Sequence, residues 1–123
     1  MPETEYSQDN LAAVRAEIEH IKSMLRLELT ANPRTREHIG ELLSERMGAA
    51  KVYMTLDSGP KTQGEIGGSL NMSQANVSKI CTHLLRYGLL IRFRHPEQKG
   101  QFLYAWSDLE HTLGVSKIAK KML

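Results

Sequence analysis

Apolar side chains return at steps of three and four near the start of the chain, at Leu11, Val14, Ile18, Ile21 and Leu25. That spacing is an a/d seam and predicts a helix over about 8–30. Ser7 is its expected N-cap, with Asp9 in the first turn, where a carboxylate opposes the helix dipole. Asn32-Pro33 ends the segment, because the residue before proline is pushed out of the α region. A second helix fits 35–47, with Ile39, Leu42, Leu43 and Met47 on one face, and Gly48 breaks or bends it. A third fits Ala49–Leu56, with Val52, Tyr53 and Leu56 apolar, before a turn at Asp57-Ser58-Gly59-Pro60.

Shorter elements follow. Thr62-Gln63-Gly64-Glu65 is a capping box that starts a short helix with Ile66 and Leu70 inward. Gly67 and Gly68 weaken that helix intrinsically, so either packing holds it or a close helix approach demands small residues there. Asn71-Met72 makes a tight turn. Ser73 caps the next helix, which carries Val77, Cys81, Leu84 and Leu85 on one side and ends at Gly88 in a left-handed conformation. The period then changes from helical to alternating. Leu90–Arg94 and Gln101–Trp106 read as two strands around the polar loop His95–Gly100, a hairpin with a partly basic tip. Ser107-Asp108-Leu109-Glu110 is a further capping box, opening a last helix to about Met122.

Charge sharpens this picture. The formal total over 123 residues is only +2, too mild by itself to declare a nucleic-acid binder. Its distribution is uneven: residues 1–32 carry −3, residues 33–123 carry +5, and 60–100 carry +4 with only Glu65 and Glu97 acidic. An acidic arm on a basic body suggests separate tasks for the two parts. The lone Cys81 excludes an internal disulfide and a cysteine-built zinc site. No apolar run reaches the length of a membrane span, and the polar, acidic start MPETEYSQDN is unlike a secretory signal, so the expected compartment is the cytoplasm.

A helix-turn-helix followed by a two-stranded hairpin is the winged-helix plan. In it the second helix enters the major groove and the wing reaches adjacent backbone or minor groove. On a helical wheel from Ser73, the residues Ala75, Lys79, Thr82 and Arg86 lie opposite the apolar side, with Asn76 and Ser78 flanking. Nothing acidic occurs over Ser73–Arg94, which suits a polyanion, whereas a merely solvated face normally mixes signs. The stretch Ser73-Gln74-x-x-Val77-Ser78, then Leu84, then Gly88-Leu89, resembles the recognition helix of ArsR- and MarR-type winged-helix transcription regulators. The resemblance covers about 49–107 and leaves the helix at 8–30 uncovered. It implies a dimeric, DNA-binding regulator. Two departures stand out. ArsR-type metal sensors place cysteine pairs near this helix, and Cys81 alone excludes sensing by that route. MarR-type chains are longer, with dimer helices at both ends, so the terminal helices here would have to serve.

The chain thus reads as mainly α with a small β-hairpin (α+β). Residues 1–32 form a coiled-coil-like dimerisation helix, 33–107 a winged helix-turn-helix DNA-binding domain and 108–123 a C-terminal helix. The DNA-binding candidates are Thr62, Ser73, Gln74, Ala75, Asn76, Ser78, Lys79, Thr82 and Arg86, with Arg92, Arg94 and Lys99 on the wing. Gln74 and Asn76 suit adenine, Lys79 suits guanine, and the long wing cations suit phosphates. Leu11, Val14, Ile18, Ile21 and Leu25 are the dimerisation residues; they must meet either the body or a second chain, and the acidic arm and the seam spacing favour a second chain.

Cys81 is expected in the core, the alternative being a redox switch. His83 and His95 are expected in solvent or facing phosphate, and Tyr104 and Trp106 at the wing base or lining an inducer pocket. No nucleotide-binding loop or catalytic constellation occurs, so the protein is expected not to be an enzyme and to carry no cofactor or metal. The rival readings are a winged-helix module that binds protein and a nonspecific chromosome-organising protein.

Overall fold

The computed structural model describes residues 8–123. The elements are α1 (Gln8–Ala31), α2 (Pro33–Ser44), α3 (Ala49–Thr55) with a 3-10 turn at Leu56–Ser58, α4 (Gln63–Leu70), α5 (Gln74–Arg86), β1 (Leu90–Arg94), β2 (Phe102–Trp106), α6 (Leu109–Leu113) and α7 (Val115–Lys121). The cap expected at Ser7 lies outside the described residues. The chain divides into two compact units, residues 1–32 and Pro33–Leu123.

The first unit is α1. Its whole seam lies open: Leu11, Val14, Ile18, Ile21 and Leu25 are 43–55% exposed. Met24 and Leu27 add to the apolar surface. On the polar side Lys22 Nζ stands 3.7 Å from Glu19 Oε1, a surface pair one turn apart.

In the second unit α3 is the hub, packed by α2, α4, α5 and α7. Tyr53, Leu43, Ile66, Ile80, Leu84, Leu89, Val52, Val77 and Val115 are the largest side chains removed fully from water. Each such aliphatic or aromatic burial is worth roughly 1.5–3 kcal/mol. β1 and β2 pair antiparallel, from Leu90 opposite Trp106 to Arg94 opposite Phe102. Lys61 extends the sheet by one bridge, its N–H donating to the Tyr104 carbonyl at 3.0 Å and its carbonyl accepting in return at 2.8 Å. That bridge fixes the start of α4 against the base of the wing.

Four local expectations are revised. α2 starts at Pro33, whose fixed φ suits a first helical position, and it stops at Ser44. The Ser44 hydroxyl turns back onto the Gly40 carbonyl at 2.8 Å, and Gly48 adopts φ 88 before α3, so Met47 lies in the turn and is 95% exposed. The buried side of α5 is Val77, Ile80, Cys81, His83 and Leu84, while Leu85 is half-buried. The box expected at Ser107–Glu110 does not close. Ser107 Oγ accepts from Leu109 N–H at 3.3 Å, but the Glu110 carboxylate is drawn away to Tyr53 and Ser116. The last helix is also two, because Gly114 sits at φ 62, ending α6 and starting α7, which packs onto α2 and α3.

Candidate nucleic-acid interface

Local chemistry aims α5 outward. Thr62 Oγ1 accepts from Glu65 N–H at 3.2 Å and Glu65 Oε1 accepts from Thr62 N–H at 2.9 Å, the two halves of a capping box. The Thr62 N–H, with help from its hydroxyl, holds the Glu65 carboxyl below its ordinary pKa. Asn71 closes α4 at φ 56. Ser73 Oγ then accepts from Asn76 N–H at 3.2 Å. The approach of α4 to the α5 turn is close: a Cβ on Gly67 would stand 3.0 Å from the Met72 carbonyl oxygen and 3.5 Å from Val77, whereas one on Gly68 would meet nothing. The small residue at 67 is therefore a packing requirement.

With that angle set, Gln74, Ala75, Asn76, Lys79, Thr82 and Arg86 are exposed along one side of α5, and Ser78 beside them is half-buried. The structure thus brings most of the expected helix face together on one open surface. Thr62 and Ser73 differ. Both hydroxyls are occupied as caps, and Thr62 is 8% exposed, so its side chain serves the fold. On the wing Arg92, Arg94 and Lys99 are exposed, and Arg92 lies with its guanidinium 4.6 Å above the Phe102 ring. The tip is organised by His95, whose Nδ1 accepts from the N–H groups of Glu97 and Gln98, both at 3.1 Å. Gln74 shares an uncharged notch with Thr62, Gln63, Gly64 and the wing residues Gly100–Phe102 and Tyr104. Gln63 Nε2 donates to Tyr104 Oη across it at 2.8 Å.

His83 is not in solvent. It is buried, and Nε2–H donates to the Leu42 carbonyl at 2.8 Å, with Glu45 Oε1 at 3.7 Å and the Tyr87 ring edge-on at 5.1 Å. A carbonyl at the end of α2 claims this imidazole, a pairing over 41 residues with no local sequence signal. Cys81 is fully buried and burial pushes its thiol up to about 11, so it is a core residue and a poor thiolate. Tyr104 is buried and Trp106 half-buried at the wing base, where the Trp106 indole N–H donates to the Tyr53 carbonyl at 2.7 Å. Arg46, from the turn between α2 and α3, lies beside the α5 face and was not among the sequence candidates. Among the described residues no three His, Cys, Asp or Glu side chains gather as a metal site requires, and no helix is long and apolar enough to cross a membrane.

Comparison with known proteins agrees with this geometry. The MarR family model matches residues 52–99, from within α3 to the tip of the wing. No curated protein matches the sequence. Among solved structures, the reduced form of the transcriptional regulator YodB from B. subtilis is similar at 22% identity, over 74% of this chain and 86% of that one, with a TM-score of 0.58. ZitR from Lactococcus lactis, a zinc-responsive MarR family member, is similar at 21% identity over 62% of this chain and 49% of that one, TM-score 0.51. Apo MarR from E. coli is similar at 17% identity over 86% and 71%, TM-score 0.51. The chain aligns with about half the length of ZitR. At these identities the likeness is one of fold, the winged helix-turn-helix. The resemblance read from the recognition-helix residues is therefore carried on its MarR side.

Proposed function

We propose that this chain is a sequence-specific regulator of transcription that binds double-stranded DNA as a homodimer. The observation that carries the reading is the open face of α5: Gln74, Ala75, Asn76, Lys79, Thr82 and Arg86 lie together, with no carboxylate in the helix. Gln74 and Asn76, in the first turn, reach adenine edges, and Ala75 keeps the helix close to the bases. Lys79 suits guanine by type; because it shares a cleft with Arg46 and Arg86, we read it here as a backbone contact. Arg94 and Lys99 contact phosphates beside the wing, long cations on a loop being suited to position and not to read. Dimerisation is through α1. Leu11, Val14, Ile18, Ile21 and Leu25 each have about half of their surface open, so covering them gains about half of the roughly 1.5–3 kcal/mol of a full burial for each side chain, and a second copy offers a matching seam. Two-fold symmetry then sets half-sites about 10 base pairs apart, or a multiple of that. The expected compartment is the cytoplasm.

Fluorescence anisotropy with random and selected duplexes, repeated over a salt series, tests the reading. A selected duplex bound much more tightly than random DNA at every salt supports it. Equal binding with a steep salt slope transfers the protein to the nonspecific class.

One observation favours a protein-binding reading instead. The wing face carrying Ile91, Phe93, Leu103 and Ala105 is turned outward, with Ile91 50% and Phe93 41% exposed. Exposed apolar patches mark interaction surfaces. Failure to bind any duplex would give this reading precedence.

A further inference from the structure

We propose that Arg46 completes a phosphate-binding cleft along the flank of α5 and that a phosphodiester of the DNA backbone occupies it. The proposal rests on the DNA-binding reading above.

The cleft has two walls. One is α5, where Ser78, Lys79, Thr82, His83 and Arg86 recur at one, three, one and three residues and so share a single stripe. The other is the turn after α2, which contributes Arg46. Together they enclose about 180 Å3. Arg46, Lys79 and Arg86 bring three full positive charges, and the Ser78 and Thr82 hydroxyls bring uncharged donors. No carboxylate lines it; Glu45, whose Oε1 stands 3.7 Å from His83 Nε2, lies outside the lining. An array of donors with concentrated positive charge and no acceptor of full charge is complementary to a phosphate oxyanion.

Arg46 is also held in place. The buried His83–Leu42 hydrogen bond ties the C-terminal end of α2 to α5, four residues before Arg46. The turn then runs directly into α3, whose start is fixed by Gly48 at φ 88 and by the fully buried Ala49. The position of Arg46 relative to Lys79 and Arg86 is therefore a consequence of the core.

The cleft lies along the part of α5 that follows the residues assigned to bases. A helix lying in a major groove has backbone beside it, and a cationic flank meets that backbone without reading sequence. This distinguishes the occupant from a free anion. A phosphodiester is delivered by the same docking that places Gln74 and Asn76, whereas inorganic phosphate would bind without DNA.

Anisotropy over a salt series with the full chain, as wild type, Arg46→Gln and Arg46→Lys, decides the matter. Loss of one phosphate contact flattens the salt dependence by about one ion, so the fall in affinity between about 50 and 200 mM salt shrinks by about 3.5-fold for Arg46→Gln, equally on selected and random duplexes. Arg46→Lys, keeping the charge, should retain most of the wild-type slope. Inorganic phosphate at matched ionic strength should compete no better than chloride. If the wild type binds duplex and Arg46→Gln is indistinguishable from it in slope and affinity, the cleft assignment is overturned and the DNA-binding reading stands. Specific competition by inorganic phosphate with an unchanged Arg46→Gln slope also overturns it, in favour of a free-anion site. A wild type that binds no duplex removes the reading beneath both.

Discussion

The Tyr53 hydroxyl donates to Glu110 Oε1 at 2.7 Å across 57 residues of sequence. The same carboxylate accepts from the Ser116 N–H at 2.8 Å and its hydroxyl at 2.7 Å, joining α3 to the start of α7. Tyr53 also holds the wing: its carbonyl accepts from the Trp106 indole, and the two rings stack with centroids 5.1 Å apart. Burial first, then the bond to Glu110 and its charge, raises the hydroxyl pKa well above the ordinary tyrosine value, so it remains a donor. Tyr53→Phe should cost about 1.5–3 kcal/mol in urea melts, the range for a hydrogen bond to a charged group. A loss below about 0.5 kcal/mol, the size of an ordinary surface change, would show that this junction does not hold the fold.

Glu65 gives a pH signature. Its carboxyl titrates below the ordinary 4.5 in the folded protein and at the ordinary value once unfolded, so the capping box stabilises above about pH 4.5. That contribution is lost as pH falls through the folded value. Glu65→Gln removes the ionisation while keeping a box-forming side chain. The wild type should melt higher than Glu65→Gln at neutral pH, and the gap should close on acidification. A gap that stays constant with pH would contradict the assignment.

The two adjacent glycines of α4 should respond with opposite sign. Gly68→Ala meets open space and gains helix propensity, so it should stabilise by about 0.4–1 kcal/mol. Gly67→Ala drives a methyl to 3.0 Å from the Met72 backbone oxygen, in a turn fixed by Met72 N–H donating to the Gly67 carbonyl, and should destabilise. Thermal melts of both variants check this, and a stabilised Gly67→Ala would show that the turn can yield.

Ile18→Asp with Ile21→Asp places charge in the open seam of α1. Sedimentation equilibrium should show a dimeric wild type and a monomeric double variant. A double variant that remains dimeric would move the interface elsewhere, the groove between α2 and α7 lined by Gly40, Ile118 and Met122 being the alternative surface. A monomeric wild type would remove the dimer from the account.

What the sequence makes legible here is local. The Thr62–Glu65 box, the Ser73 cap, the left-handed Gly88 and the hairpin each depend on residues a few positions apart, and each forms as the spacing predicts. So does the polar face of α5, because helical period alone sorts Lys79 and Arg86 from Val77 and Leu84. What the sequence does not disclose depends on distant partners. Glu110 reads as a cap residue until Tyr53 and Ser116 are beside it. His83 reads as a side chain facing solvent or phosphate until the α2 carbonyl at Leu42 is 2.8 Å away. Arg46 falls within the helix expected over 35–47, but α2 stops three residues early and leaves it in the turn beside α5.

The most direct test of the central claim is random-site selection with the wild type and Gln74→Ala. Gln74 is the first helical residue of α5, exposed, and flanked by the wing residues Gly100–Phe102. The account predicts a two-fold symmetric motif for the wild type with half-sites about 10 base pairs apart or a multiple of that. For Gln74→Ala it predicts the same motif with one position of each half-site relaxed, at a cost of roughly 1–3 kcal/mol on the wild-type site. A motif identical in both proteins would show that Gln74 does not read bases, and the absence of any motif for the wild type would contradict sequence-specific recognition by α5 altogether.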